Sequence, residues 1–543
     1  MALLQSKLAI RSLSWAYIAG SCGRKGANSE GGFWKGPPHY IAAGFFLLQL
    51  TGLSAFVADS LQRMRRILRS WAVFCLFVSG LAHGESGVDY ALRYARSSHT
   101  VTVSLTLPDL VTGPAALVMP RTYPGGYEQL PYDAYVARVI AYAPDGASLP
   151  ISKDADGPRW TLGSAGETIR VIEYVVDVAR MEAATRSAVS SSKIRNGYVG
   201  LLGYSIFAYV EGLQNRPVRL RVSGPKGWPV LATLNPTSPP SITETAVRAA
   251  NYDELADSQV MMGPDLRLAR LAGAIPLVMA VYAEGHIDEI LESHLAREAL
   301  DRVQQYFGDT PIPQYTMQLE FLRPKPGHQY SFSQEHTKSG SFSFAIDAPL
   351  TARSSAQERD RVLFNFAHHM AHCWVPVRVY GVGYRPLVWE MTPVIDTIWF
   401  NEGFGRYAAL AALAEGMAAQ DAKAYREDYL KRRMEILNGA PSFIRRMSLE
   451  VLSREASFLY GEDFRTGANI GARGLLMAAE MDDRIREETH NQKSLRDAFR
   501  WLLAWSAEHR TAFLTDRFPA YIESATGVAV TDIFERWQQP LDH

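Results

Sequence analysis

The chain has 543 residues, 47% of them hydrophobic and 21% charged, ordinary values for a globular protein of about three domains; a disordered or collagen-like chain is excluded. Its 56 basic and 56 acidic side chains cancel, so the basic footprint of a nucleic-acid binder is missing. The balance is uneven, however. Residues 1–84 hold nine Lys/Arg against two Asp/Glu, leaving residues 85–543 with 47 basic and 54 acidic groups, a net of −7, which suits a soluble body behind a basic leader.

Residues 64–84 join a basic start, an apolar run from Trp71 to Leu81 and small residues at the end. This is the layout of a secretory signal peptide, cleaved after Ala82 or Gly84. On that reading translation starts at Met64, residues 1–63 are an upstream extension that is not translated, and the body is exported to the periplasm or the extracellular space. A second reading takes residues 40–58, broken only by Gln49, Thr51 and Ser54 after Tyr40, as a membrane span; membrane contact then runs through the uncleaved N-terminal segment alone. Cys22 and Cys75 fall in the removable part, so Cys373 stands alone in the body and no internal disulfide is available to it.

From about residue 90 to 234 hydropathy alternates. Val101, Val103, Leu105 and Leu107 share one face of a strand, as do Val218, Leu220 and Val222, and turn residues at 124–126, 145–146, 156–158 and 224–225 separate the runs. An antiparallel, β-sandwich-like N-terminal domain over residues 85–240 follows, with nothing in it that points to catalysis. After residue 249 the period becomes helical: helices are predicted over 287–307 and 358–374, a strand over 315–321, and Ala/Leu-rich helices over 396–417 and 471–486. The fold class is therefore α+β and multidomain, with a mixed domain over 241–440 and an α-helical domain over 441–543.

His368 and His372 stand four residues apart in the 358–374 helix, so their imidazoles leave one face about a turn apart. That is the spacing of the zinc ligands in H-E-x-x-H, whose glutamate is the general base and whose third ligand is a distant carboxylate. Here the segment reads His368-His369-Met370-Ala371-His372. A helix-rich chain with 13 histidines also produces such pairs by chance, and Glu402, early in the following apolar helix, is equally a carboxylate that caps a first turn.

Taken together, these segments resemble the glycyl aminopeptidase family of zinc metallopeptidases, a gluzincin group in which H-E-x-x-H is followed by a ligand in L-W-x-x-E-G-F-T-x-Y-Y. Twenty-nine residues separate His372 from Glu402, and Trp374, Arg378, Trp399, Gly403, Phe404 and Tyr407 fall in register. Residues 119–127 are similar to the family's P-x-W-T-P-G-S-Y, residues 252–263 to its Y-D-E-L-x-D-S-P-x-x-x-G, residues 333–336 to its G-L-E-H, and residues 484–495 to its C-terminal helices. The likeness covers residues 90–540, with no counterpart of the PDZ module common at the family's C-terminus. It implies a thermolysin-like domain over 241–440, one Zn²⁺ held by His368, His372 and Glu402, and Glu335 gripping the free α-amino group of a peptide or protein N-terminus.

Departures from the family fall on the chemistry. His369 occupies the general-base position, and Y-x-K-G, whose tyrosine the resemblance assigns to the oxyanion, reads Gly471-Ala-Arg-Gly474. A lost base costs about 10²–10⁴-fold and a lost oxyanion donor about 10²–10³-fold. The expectation is a zinc-binding homologue with impaired or absent peptidase activity that acts in peptide or protein binding. The alternative is an active aminopeptidase releasing N-terminal Gly or Ala with His369 as substitute base. One residue rotates His369 about 100° off the face of His368, which argues against ligation and leaves it as a polar cleft residue. Tyr407, Trp374, Trp399 and Phe404 read as packing residues, His336 as structural, and Arg473 as a retained charge. Phe332 and Ser333 replace glycines beside Glu335, which bears on how closely a peptide backbone approaches there.

Overall fold

The computed structural model describes residues 87–234, 241–242 and 244–542; the signal-peptide and membrane-span expectations fall on residues outside these. Among the described residues no helix is long and apolar enough to cross a membrane.

Period-two burial builds the N-terminal region. Strand β1 (Val88–Arg93) turns Val88, Tyr90 and Leu92 inward, and it joins β2 (Thr100–Thr112), β3 (Val136–Tyr142), β4 (Ser148–Leu149) and β5 (Thr168–Asp177). With β6 (Tyr198–Leu202), β7 (Val218–Ser223), β8 (Glu244–Ala249) and β9 (Gln259–Met262) the chain forms a seven-stranded sheet ordered β8-β7-β1-β2-β5-β3-β4 and a five-stranded sheet containing β9 and β6. Their inner faces share one apolar core, including Val103, Leu105, Ile172, Leu201, Leu220 and Val260, as stacked sheets do. Two points differ from the sequence expectation. The β1–β7 pair is parallel, and β8 and β9 pair with β7 and β6, carrying the β-region past residue 240 to Met262. The four residues of β9 are all buried and so carry no alternation to read.

The rest of the chain begins with a five-stranded sheet of β10 (Arg267–Leu271), β11 (Leu277–Ala283), β12 (Tyr315–Leu322), β13 (Phe332–Glu335) and β14 (Ser339–Ala345), ordered β10-β11-β12-β14-β13. All eight residues of β12 are buried, since it lies between two parallel neighbours with both faces covered. Helix α1 (Glu289–Phe307) connects β11 to β12; Asp288 caps its start and Gly308, at φ 84°, ends it. Then come α2 (Ala356–Ala371), a π-helical turn (Trp399–Phe404), α3 (Gly405–Ala414), α4 (Ala419–Asn438), α5 (Leu449–Leu459), α6 (Phe464–Glu488), α7 (Leu495–His509), α8 (Phe518–Thr526) and α9 (Thr531–Gln538).

Residue 440 is not a boundary in the core. Trp399, Phe400 and Phe404 of the π turn interlock with Phe499, Phe513, Phe518 and Phe534, so the C-terminal helices bury against the same aromatic cluster as the elements before 440. Such ring contacts add to the burial that holds the two parts as one unit.

Candidate metal centre

A reciprocal cap opens α2: Ser355 accepts from the Glu358 N–H while the Glu358 carboxylate accepts from the Ser355 N–H. Four turns later the helix delivers His368, and His372 falls at its C-cap. The His372 Nδ1 donates to the carbonyl of Val375 at 2.8 Å, which leaves its Nε2 lone pair free. That atom lies 3.4 Å from His368 Nε2 and 4.0 Å from Glu402 Oε1, and His368 Nε2 lies 3.3 Å from Glu402 Oε2.

Glu402 arrives on the π turn, a widened geometry common at functional sites. Two glycines make room for that turn against α6. A Cβ at Gly403 would sit 2.4 Å from the Cα of Gly474, and one at Gly474 would sit 2.1 Å from the carbonyl oxygen of Trp399. All three donor residues are buried, and they form a His/Cys/Asp/Glu group compact enough to hold an ion among the described residues. The set fits zinc: two imidazoles and a carboxylate are its usual partners, and bonds of about 2.0–2.1 Å in a tetrahedral set place donors about 3.3 Å apart. Burial, ahead of the neighbouring charges, holds both imidazoles below their ordinary range and so neutral, the form a metal needs.

Two of these donors, His368 and Glu402, line a cavity of about 510 Å³. Glu335, at the end of β13, reaches into it with an Oε1 that is buried and without a hydrogen-bond partner. Its carboxylate presses on Gly125, where a Cβ would stand 2.0 Å from Oε1. Burial, and behind it the charge of Glu402, pushes Glu335 well above the usual carboxylate range; a ligand ammonium is what such a group lacks.

His369 also lines the cavity. Its Nδ1 donates back to the Asn365 carbonyl at 3.1 Å, and burial, then His372, pushes it down to about 3, a weak base at neutral pH. Position 471 is filled by another residue's charge, since a Cβ on Gly471 would lie 3.1 Å from Arg406 Nε. Arg406 donates to Glu402 Oε2 at 3.2 Å and to the Tyr460 hydroxyl at 3.3 Å, and that hydroxyl donates to the same Glu402 oxygen at 3.2 Å.

The structure thus gathers His368, His369, Glu402 and Glu335 in the lining of one cleft, with His372 buried beside His368. It adds residues the sequence reading missed: Arg406, Tyr460 and, from the N-terminal region, Gly125 and Tyr127, whose hydroxyl accepts from Asn401 Nδ2 at 3.0 Å. The view that the β-region carries no site chemistry is corrected here; the matched segment at 119–127 was the available signal. Trp374, Trp399 and Phe404 are wholly buried. Tyr407 donates to Asp482 at 2.6 Å, and Arg473 donates to the carbonyls of Met447, Trp537 and Gln539. His336 lies 2.9 Å from Asp257, which also accepts from the Thr337 N–H, tying β13 to the segment at 252–263.

A β-rich N-terminal region thus precedes a mixed α/β region in which α2 and the π turn bring two histidines and a glutamate together. Residues 89–264 match the Peptidase M61 N-terminal domain. The fold is similar to that of an aminopeptidase N family protein from Idiomarina loihiensis, with a TM-score of 0.71 and 19% identity over 84% of this chain and 76% of that one. An M1 zinc metallopeptidase from Deinococcus radiodurans aligns at a TM-score of 0.49 and 14% identity over 84% of this chain and 94% of its own. No curated protein matches the sequence. The family match covers the N-terminal region, and the likeness to the solved structures is one of fold.

Proposed function

We propose that this protein is an exported, zinc-binding relative of the glycyl aminopeptidases that binds the amino terminus of a peptide or protein, with hydrolysis impaired or absent. The observation that carries this reading is the pairing of a complete, buried donor triad with a neighbouring buried carboxylate oxygen that has no partner. When bound, Zn²⁺ supplies Lewis-acid polarisation of a carbonyl. The chain's own residues do the rest: Glu335 holds the ammonium group, and Arg406 and Tyr460 keep Glu402 in place. At the position of the base stands an imidazole tied to its own helix. Export rests on the basic and apolar pattern of residues 64–84.

A second reading, slow aminopeptidase turnover of Gly- or Ala-terminal peptides with His369 as base, draws on Arg406 and Tyr460, two donors beside Glu402 that suit developing negative charge. The test joins elemental analysis of the purified protein with calorimetric binding of Gly-Gly-amide and its N-acetyl form, and with release of Gly in the presence and absence of a chelator. One zinc per chain, tighter binding of the free amine by about 10–100-fold, loss of that preference in Glu335→Gln and no chelator-sensitive release support the proposal. Chelator-sensitive release establishes the second reading; no zinc and no amine preference overturns both.

A further inference from the structure

The cavity is polarised. Its β-derived side carries Glu335 and α2 adds Arg361 and Asp360, the latter within the influence of Arg432, while α3 and α4 contribute Arg406, Arg432 and Arg433. Two of these guanidiniums have carboxylate partners: Arg406 lies 3.2 Å from Glu402 and Arg432 lies 2.9 Å from Asp428. Arg433 has none among the described residues. It stacks over the Tyr429 ring at 4.6 Å, and its Nε is buried without a hydrogen-bond partner. Burial, and behind it the charges of Arg406 and Arg432, holds it below the ordinary arginine range against the opposing effect of Tyr429. Arg406 acts on both Glu335 and Arg433, and each of these two lining residues has a buried polar atom without a hydrogen-bond partner.

A guanidinium placed this way is a ready partner for a carboxylate, which it binds with charge-assisted, paired hydrogen bonds. A volume of about 510 Å³ is that of a small-ligand site. We propose that Arg433, supported by Arg432, binds a carboxylate of the ligand, so that the cleft selects short zwitterionic peptides with the ammonium group at Glu335 and the carboxylate at the α4 wall. This inference rests on the amino-terminal binding proposed above. The carboxylate has two possible sources, the peptide's own C-terminus or an acidic side chain in its second residue.

Calorimetric titration of the zinc-loaded, full-length protein with Gly-Gly, Gly-Gly-amide and Gly-Glu-amide separates them. At least one of the two carboxylate peptides is expected to bind about 10–100-fold tighter than Gly-Gly-amide, and which one does identifies the source. In Arg433→Gln the ratio falls toward one, in Arg433→Lys part of it remains, and in Arg432→Gln it shrinks less than in Arg433→Gln. A thermal melt of each variant separates loss of recognition from loss of fold. Gly-Gly-amide binding as well as both carboxylate peptides, with N-acetylation still abolishing binding, overturns this inference and leaves the amino-terminal reading intact. A ratio that persists in folded Arg433→Gln also overturns it. Failure of all three peptides to bind overturns both.

Discussion

His368, His372 and Glu402 come from a capped helix and from a turn seated on α6 by two glycines, and their nearest donor atoms lie 3.3–4.0 Å apart in a buried corner. Position 369 lies one residue away and carries a histidine bonded to its own helix; position 471 carries no side chain, and Arg406 stands beside it. The two sets differ in what else depends on them. The donors sit where α2, the π turn and α6 bury against the aromatic core, so the packing that stabilises the fold also fixes their placement. His369 lines the cleft and bonds to its own helix, and Gly471 leaves room for Arg406. The placement of the three donors is thus tied to the packing of the core, whereas positions 369 and 471 answer to the cleft.

The sharpest challenge to this contrast is His369→Glu. Restoring a carboxylate at the base position is expected to raise release of N-terminal Gly by about 10²–10⁴-fold, read in a steady-state assay. No gain would place the block at Gly471 or in the altered strand beside Glu335. Glu402→Gln addresses the other half. Partners of a ligand alone are worth about 10–100-fold in metal affinity, so losing a ligand costs more than about 100-fold, measured by elemental analysis and chelator competition; zinc retained at wild-type affinity would show that this corner is not its site.

A carboxylate outside the cleft lining supplies a control for the cost of burying a charge without a cation. Glu292 of α1 is 2% exposed, its Oε2 has no partner, and burial, then Asp288, pushes it up to about 7 from 4.5. Between those values the native state holds a proton that the unfolded chain releases, so stability falls as pH rises through this window, by about 3 kcal/mol in all. Glu292→Gln is expected to flatten that slope in urea unfolding at pH 4.5 and pH 8; an unchanged slope would mean that the carboxylate is compensated. The smallest effect belongs to Gly474→Ala. Its Cβ would sit 2.1 Å from the Trp399 carbonyl oxygen and displace the turn that carries Glu402, at about 1–3 kcal/mol read as a lowered Tm, with weaker zinc binding in the same preparation.

Much of this was legible locally. Period two marked the strands around Val101–Leu107 and Val218–Val222, helical spacing put His368 and His372 on one face, and the segment around Glu402 stood out by its own pattern. These are properties of neighbours within a window of a dozen residues, and burial imposes them directly on sequence. Short strands such as β9, and the core shared across residue 440, were hidden because their partners lie far away in the chain. The same holds for the cleft. Tyr127 at Asn401, Gly125 against Glu335, Arg406 beside Gly471 and the unpaired Arg433 above Tyr429 are meetings between elements tens to hundreds of residues apart, apart from the last. Sequence by itself determined the donor types, their helical phase and the alternating strands; tertiary structure decided which walls face the donors and with what charge, because the approach of one element to another is set by packing over the whole core and is written in no local period.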